Sequence, residues 1–210
     1  MKIFQAIVDS VLGKPIRKII SKDKVIYLTF DDGPNRHCTP KVLELLSKYN
    51  ARATFFVVGK NVECNVDVFN QIKNEKHSIG NHSYDHNYMP FFKGVKRLRQ
   101  WIEFGEDAIV KQLGVSTVGF RPPAGIRTPE LRYIMYKRKE CLILWQHRFY
   151  DTVSLFTDDK WKKKFSSIES GDIILLHDSH KEPDEFLNSL ENFINALINA
   201  GFKLCALPSQ

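Results

Sequence analysis

Short apolar runs alternate with stretches of helical spacing along this 210-residue chain. The runs are VIYLTF (25–30), ATFFVV (53–58), HSIGN (77–81), TVGF (117–120), CLILW (141–145), DIILLH (172–177) and KLCAL (203–207). They are near-continuously apolar, as strands covered on both faces are. Helical patterns fall near 40–49, 66–75, 91–113, 128–139, 157–168 and 183–200. In the last of these, Phe186, Leu187, Leu190, Phe193, Ile194, Leu197 and Ile198 form one stripe, with Pro183 near its start and Gly201 past its end. Thr39 is expected to cap the first long helix, just ahead of Pro40. Strands alternating with helices predict an α/β fold on a parallel sheet, either open and doubly wound or closed into a barrel. In a barrel, chemistry collects at the C-terminal ends of the strands.

The polar clusters fall at those ends. Asp31 and Asp32 follow the first run, in TFDDGP. His82 and His86 follow the third, in NHSYDH, and Arg121 follows the fourth, in FRPPAG. Asp151 lies a few residues past the fifth, and His177 ends the sixth, with Asp178 next to it. His82 and His86 are four apart, a spacing that turns both imidazoles toward one ion on a helical turn. HxxxH alone is a weak signal. A carboxylate from another strand end turns it into a two-His, one-Asp site of the kind that holds a hydrolytic divalent metal. Such an ion also relieves the repulsion between adjacent aspartates, one binding it and the other facing water. Gly33 permits a sharp exit from the strand and Pro34 stiffens it.

Composition bounds the rest. With 43% hydrophobic and 26% charged residues, the chain suits one sizeable core. Residues 1–22 read as a leading helix or arm and 23–210 as a single domain. No apolar run approaches the roughly 18 residues of a membrane span. No signal-peptide pattern is visible, which favours a cytoplasmic location while leaving secretion or the cell surface open. Cys38, Cys64, Cys141 and Cys205 are dispersed and contain no CxxC pair, so a zinc knuckle is not expected and the thiols read as buried. The net charge of +7 gathers at Lys93–Arg99, Lys137–Lys139 and Lys160–Lys164, read as solvated helix faces with some attraction for an anionic polymer. No nucleic-acid recognition motif accompanies those runs.

Together these motifs resemble the polysaccharide deacetylase family, the NodB-homology domain of carbohydrate esterase family 4, over roughly Val25 to Leu207. The match to TFDDGP is complete in Thr29–Pro34. His82, Ser83 and His86 meet the family's H-S/T-x-x-H, Arg121–Pro123 its R-x-P, and Leu175–His177 its L-x-H. The stretch TFDDGPNRHCTPKVLELLSKYNARATFFVVG particularly resembles chito-oligosaccharide deacetylases. The resemblance implies a distorted, TIM-barrel-like (β/α)7 barrel. It implies that Asp32, His82 and His86 bind a divalent metal, zinc above all, with Co2+, Ni2+ or Mn2+ as other choices. It makes Asp31 the general base, oriented by Arg121, and His177 the general acid, held by Asp151. A backbone N–H at Ala124, beside Pro123, would bind the oxyanion, and Leu175 would wall the acetyl pocket.

Two positions depart from the family pattern. Many members read RPPYG where this chain reads RPPAG, and Asp-Trp where it has Asp151-Thr152. Trp145 or Trp161 is expected to compensate for the lost aromatic, and Asp178 competes with Asp151 as the partner of His177. Tyr84, Tyr88 and Tyr150 are candidates for stacking on a sugar. Phe91, Phe92, Trp101 and Phe104 read as core. His147 and His180 read as rim residues, His77 as the opening of the third strand and His37 as a loop position.

The expected activity is therefore hydrolysis of a linear amide: removal of N-acetyl groups from amino sugars in an oligo- or polysaccharide, releasing acetate. The partner is an N-acetylated glycan, and a monomer is favoured. An O-acetyl glycan esterase using the same site, or a catalytically weak glycan-binding module, is the alternative.

Overall fold

The computed structural model describes residues 14–114, 116–181 and 183–208. Of the helix or arm expected over residues 1–22, residues 1–13 lie outside them. The strands are β1 (Val25–Asp31), β2 (Thr54–Val57), β3 (Ser78–Asn81), β4 (His147–Arg148), β5 (Ile173–His177) and β6 (Lys203–Leu204). The helices are α1 (Thr39–Lys48), α2 (Gly59–Cys64), α3 (Val66–Asn74), α4 (Gly94–Leu113), α5 (Pro129–Arg138), α6 (Asp158–Phe165) and α7 (Asp184–Asn199). The short α2 has no counterpart among the predicted segments; six residues are too few to show a helical repeat.

The strands pair in parallel in the order β3-β2-β1-β5-β4. Parallel bridges continue the sheet from Asn81 to Phe120 and from Phe120 to Leu142. The segment that holds Leu142 runs on into β4, which pairs with β5, so the sheet closes on itself as a distorted barrel. The predicted strands 117–120 and 141–145 are thus present as extended segments held by single bridges. The distortion has two identifiable sources. Ile16 bridges in parallel to Ile143 while Lys18 bridges antiparallel to Asp172, so residues 16–19 wedge between two staves. At the same end, β6 pairs with Val25 and Ile26, whereas β2 pairs with Thr29 to Asp31 further along β1.

Alternation along the strands sorts side chains into two layers. Ile26, Leu28 and Phe30 pack outward with Leu43 and Leu46 of α1, Phe69 of α3 and Phe193 and Leu197 of α7. Val25, Tyr27, Phe56, Ile143 and Ile173 form a second cluster inside the barrel. A third joins Leu98 and Ile102 of α4, Ile134 of α5, Phe120 and Leu142. The period of two that sends Val25 and Tyr27 inward also sends Thr29 and Asp31 inward. The same holds for Leu175 and His177 after Ile173. Polar residues at the ends of otherwise apolar staves therefore face the barrel mouth.

Several expectations are corrected here. Trp161 packs in the outer core, 5.4 Å from Phe193, and its indole N–H donates to Asp158, so it stands away from the mouth. His147 lies 2.9 Å from Asp172, near the N-terminal end of β5, and is not a rim residue of the mouth. Phe91 and Trp101 are core, but Phe92 and Phe104 are exposed. Cys38 and Cys141 are buried, Cys64 is exposed and Cys205 is intermediate; all four are free thiols. Thr39 does not cap α1. Asn35 accepts from the amides of His37 and Cys38, and the Thr39 hydroxyl is bonded to Asp178. His77 does open β3, accepting from the Ala53 amide, and burial pushes its imidazole down to about 4. Among the described residues no helix is long and apolar enough to cross a membrane.

Candidate active site

The paired aspartates separate because the backbone turns sharply between them. Asp31 is the last residue of β1, in extended register with Phe56 on one side and His177 on the other. Asp32 adopts φ +75°, a left-handed conformation that aspartate tolerates better than most residues. Neighbouring carboxylates thus reach different partners. The turn is held by Asn61, whose amide donates to the Asp32 carbonyl at 2.8 Å, and by the Val58 N–H, which donates to the Gly33 carbonyl at 2.9 Å.

Asp31 is 2% exposed, and its Oδ1 accepts from Arg121 at 2.7 Å. Its other oxygen faces His82, 3.7 Å from Nε2. Arg121 is fully buried and its guanidinium donates to Thr29 and to the carbonyls of Ile143 and Leu144 as well. The guanidinium Cζ lies 3.9 Å from the centre of the Phe56 ring, over its face. Phe56 can occupy that place because its cross-strand partner is Gly80; a Cβ there would come within 2.3 Å of the Phe56 ring.

His82 and His86 do not share a helical turn. Ser83 and His86 have φ of +76° and +57°, and the segment is an irregular loop. The loop still brings the two rings together, with centroids 5.1 Å apart. Asn81 accepts from the Ser83 amide at 2.7 Å and donates to the Ile102 carbonyl at 3.1 Å. Asp85, between the two histidines, accepts from the Trp101 indole at 2.6 Å. Helix α4 packs directly on this loop through Gly105. A Cβ at that position would lie 2.6 Å from the Ser83 carbonyl carbon and 2.8 Å from Asn81 Oδ1. Backbone cannot yield as a flexible side chain can. Gly105→Ala is therefore expected to cost about 1–3 kcal/mol, the usual range for overpacking. It should also loosen metal retention, read by thermal melting and by metal content after dialysis.

Ligand atoms of Asp32, His82 and His86 all lie within 4.8 Å of one another. Asp32 Oδ1 is buried with no hydrogen-bond partner, although His82 Nε2 and His86 Nε2 stand 3.4 and 3.2 Å away. A buried acceptor with no hydrogen-bond partner, set between two imidazole nitrogens, suits a cation ligand. His82 Nδ1 lies 2.7 Å from the Arg121 carbonyl, which can only accept. In the neutral ring that bond places the proton on Nδ1 and leaves Nε2 as the ligating atom facing Asp32. The three residues therefore fit a divalent ion with N,N,O ligation.

At the end of β5, in register with Asp31, His177 Nδ1 donates to Asp151 Oδ1 at 2.8 Å, and the His177 amide donates to Oδ2 at 2.8 Å. Burial alone would lower the His177 pKa. The bond and charge of Asp151, joined by Asp31 and Asp32, raise it to about 9. Asp151 is held down to about 2: burial opposes ionisation, and bonds from His177 and His180 overcome it. Asp178 lies elsewhere. It is fully buried against Gly33 and bonded to Thr39, and burial raises it to about 7. Of the two rival partners, Asp151 is the one against His177.

The RPPAG loop forms another side of the mouth. Pro123 is buried, whereas Ala124 is exposed at φ +53°. Trp145 packs against this loop, so close to Gly125 that a Cβ there would meet it at 2.8 Å. Leu175 is buried beside Thr29, one inward position below His177. Tyr88 and Tyr150 are about half exposed, Tyr88 edge-on to His86 and Tyr150 beneath Arg148. Tyr84 bonds Glu63 and packs on Phe104. His180, expected only as a rim residue, shares Asp151 with His177.

A closed parallel α/β barrel with this donor triangle at its mouth is the arrangement of a class, the metal-dependent hydrolases. The particular family follows from sequence similarity. The pattern described as polysaccharide deacetylase matches residues 18–138, and the chain belongs to that metal-dependent family of carbohydrate deacetylases. It is 28% identical over 198 residues to a peptidoglycan-N-acetylglucosamine deacetylase of Bacillus cereus, covering 89% of this chain and 87% of the relative. A peptidoglycan N-acetylglucosamine deacetylase crystallised with 4-naphthalen-1-yl-N-oxidanyl-benzamide superposes with a TM-score of 0.83 at 26% identity, over 99% of this chain and 96% of the other. A mutant of a family 4 pseudoenzyme with restored enzymatic activity superposes at 0.82 and 26% identity, over 93% and 70%. The same fold thus occurs in a pseudoenzyme, so the case for catalysis rests on the side chains at the mouth.

Proposed function

We propose that this protein removes acetyl groups from N-acetylated amino sugars in a glycan, with zinc the best match to its donor set. Peptidoglycan is the substrate class supported by the names of its relatives. The observation that carries the reading is the placement of Asp31. One oxygen is tied to Arg121, and the other borders the Asp32–His82–His86 triangle.

Asp32, His82 and His86 would hold the ion. When bound, a divalent ion polarises the acetamide carbonyl and makes nearby water more acidic. Asp31, fixed by Arg121, takes a proton from the attacking water as its oxygen adds to the carbonyl carbon. The backbone N–H of Ala124 is suited to bind the developing oxyanion. Nitrogen leaves an amide only when protonated. His177 supplies that proton from Nε2, since Nδ1–H is committed to Asp151. The C–N bond then breaks to give acetate and a free amine. Pro123 and Leu175 would shape the acetyl pocket, with Trp145 packed against the neighbouring RPPAG loop.

Acetate release measured over a panel of N-acetylated glycans, peptidoglycan and chito-oligosaccharides included, tests the reading. Turnover is expected after loading with zinc or cobalt and should vanish after chelation. Metal-loaded protein that releases no acetate from any of them would refute it.

A further inference from the structure

Asp151 serves two imidazoles. His177 Nδ1–H occupies Oδ1, and the His177 amide and His180 Nε2 both approach Oδ2, at 2.8 and 3.2 Å. A carboxylate can only accept, so His180 Nε2 carries the hydrogen. The His180 ring is not placed by chance. It stacks on Phe186 of α7 at 4.2 Å between centroids and 28° between planes, and Phe186 is part of the outer core. His180 lies outside the motifs that carry the family resemblance.

We propose that His180 is a positioning residue for the proton donor: by bonding Oδ2 it fixes the Asp151 carboxylate on His177 and takes a share of its charge. His177 then releases its proton more readily than it would beside an Asp151 of its own. The proposal rests on His177 being the acid of the deacetylation.

The sign follows from the charges around His177. Asp151 faces it from the segment after β4, Asp31 and Asp32 from the end of β1, His86 from the loop after β3, and Asp178 from the next residue. Of these, Asp151 is the group His180 touches. A hydrogen bond to a carboxylate stabilises its charge and weakens its pull on a neighbouring proton. Without His180 that pull falls on His177 undiluted, so His177 should keep its proton to higher pH.

The test is the titration of the His177 ring followed by NMR in the metal-free protein, alongside the pH profile of kcat in the metal-loaded one. In His180→Ala, the His177 titration and the basic limb of kcat should both move up by roughly half to one unit. His180→Gln, which keeps a donor near the Nε2 position, should leave both close to wild type. If the gap beside Phe186 unfolds the Ala variant, His180→Leu fills it and should give the same upward shift. An unmoved or lowered His177 titration in a folded variant lacking the donor would overturn the proposal, as would a Gln variant shifted as far as the Ala or Leu variant. The ring titration needs no turnover, so an inactive protein would sink the deacetylase reading without deciding this one.

Discussion

Asp31→Asn should leave the metal bound and reduce kcat by about 10²–10⁴-fold, the range associated with a positioned general base. Asp31 is not one of the three residues whose ligand atoms converge, so the triangle of Asp32, His82 and His86 stays intact. The asparagine carbonyl can keep the bond that Arg121 now gives to Oδ1. Its amide nitrogen then occupies the place of Oδ2, the oxygen that faces the metal position. A donor there cannot accept a proton from water, and it points hydrogen at the group it should activate. Arg121 loses its counter-charge, so some loss of stability is expected. Turnover is therefore compared per folded, metal-loaded molecule, with zinc quantified by elemental analysis and acetate by a coupled assay. A variant with full zinc content and near wild-type acetate release would show that the base lies elsewhere.

The barrel was legible because its staves are buried on both faces. VIYLTF, ATFFVV and DIILLH announce strands by near-continuous apolarity, and they appear as β1, β2 and β5. The wedge at residues 16–19 was not legible, since it is held by backbone bonds at Ile16 and Ile19 that any side chains could make. The position of the ionisable groups could be read from strand ends alone, but the conformation between them could not. Left-handed residues at Ser83 and His86 replace the helical turn that HxxxH suggested, and another at Asp32 separates the paired aspartates. His180 was readable as three residues past His177 and no more, because its meaning depends on Phe186 and Asp151, which come from other parts of the chain. Trp161 does not supply the lost aromatic that the sequence expects of it or of Trp145. Its N–H finds Asp158, which lets the ring sink into the outer core.

Arg121→Met should be the most destabilising single change at the site, costing about 3–5 kcal/mol, as breaking a buried ion pair does. Arg121 fills the barrel where a hydrophobic residue would otherwise sit. Its guanidinium ties β1, through Thr29 and Asp31, to the 143–144 segment on the far side. Methionine matches the length of the stem and can pack on Phe56, so the cavity left is small. The dominant loss is that Asp31 stays buried with its charge uncompensated, and two carbonyls lose their donor. For a domain of this size, the shift in melting temperature should be on the order of 10 °C. Calorimetry of wild type and variant measures it, and a change below about 1 kcal/mol would show that Arg121 is not a structural tie. The unpaired-charge explanation makes a sharper claim. Replacing both partners removes the stranded charge, so Arg121→Met combined with Asp31→Asn should be more stable than Arg121→Met alone. If the second substitution instead adds to the damage, the cost of losing Arg121 comes from its stacking and carbonyl bonds and not from Asp31.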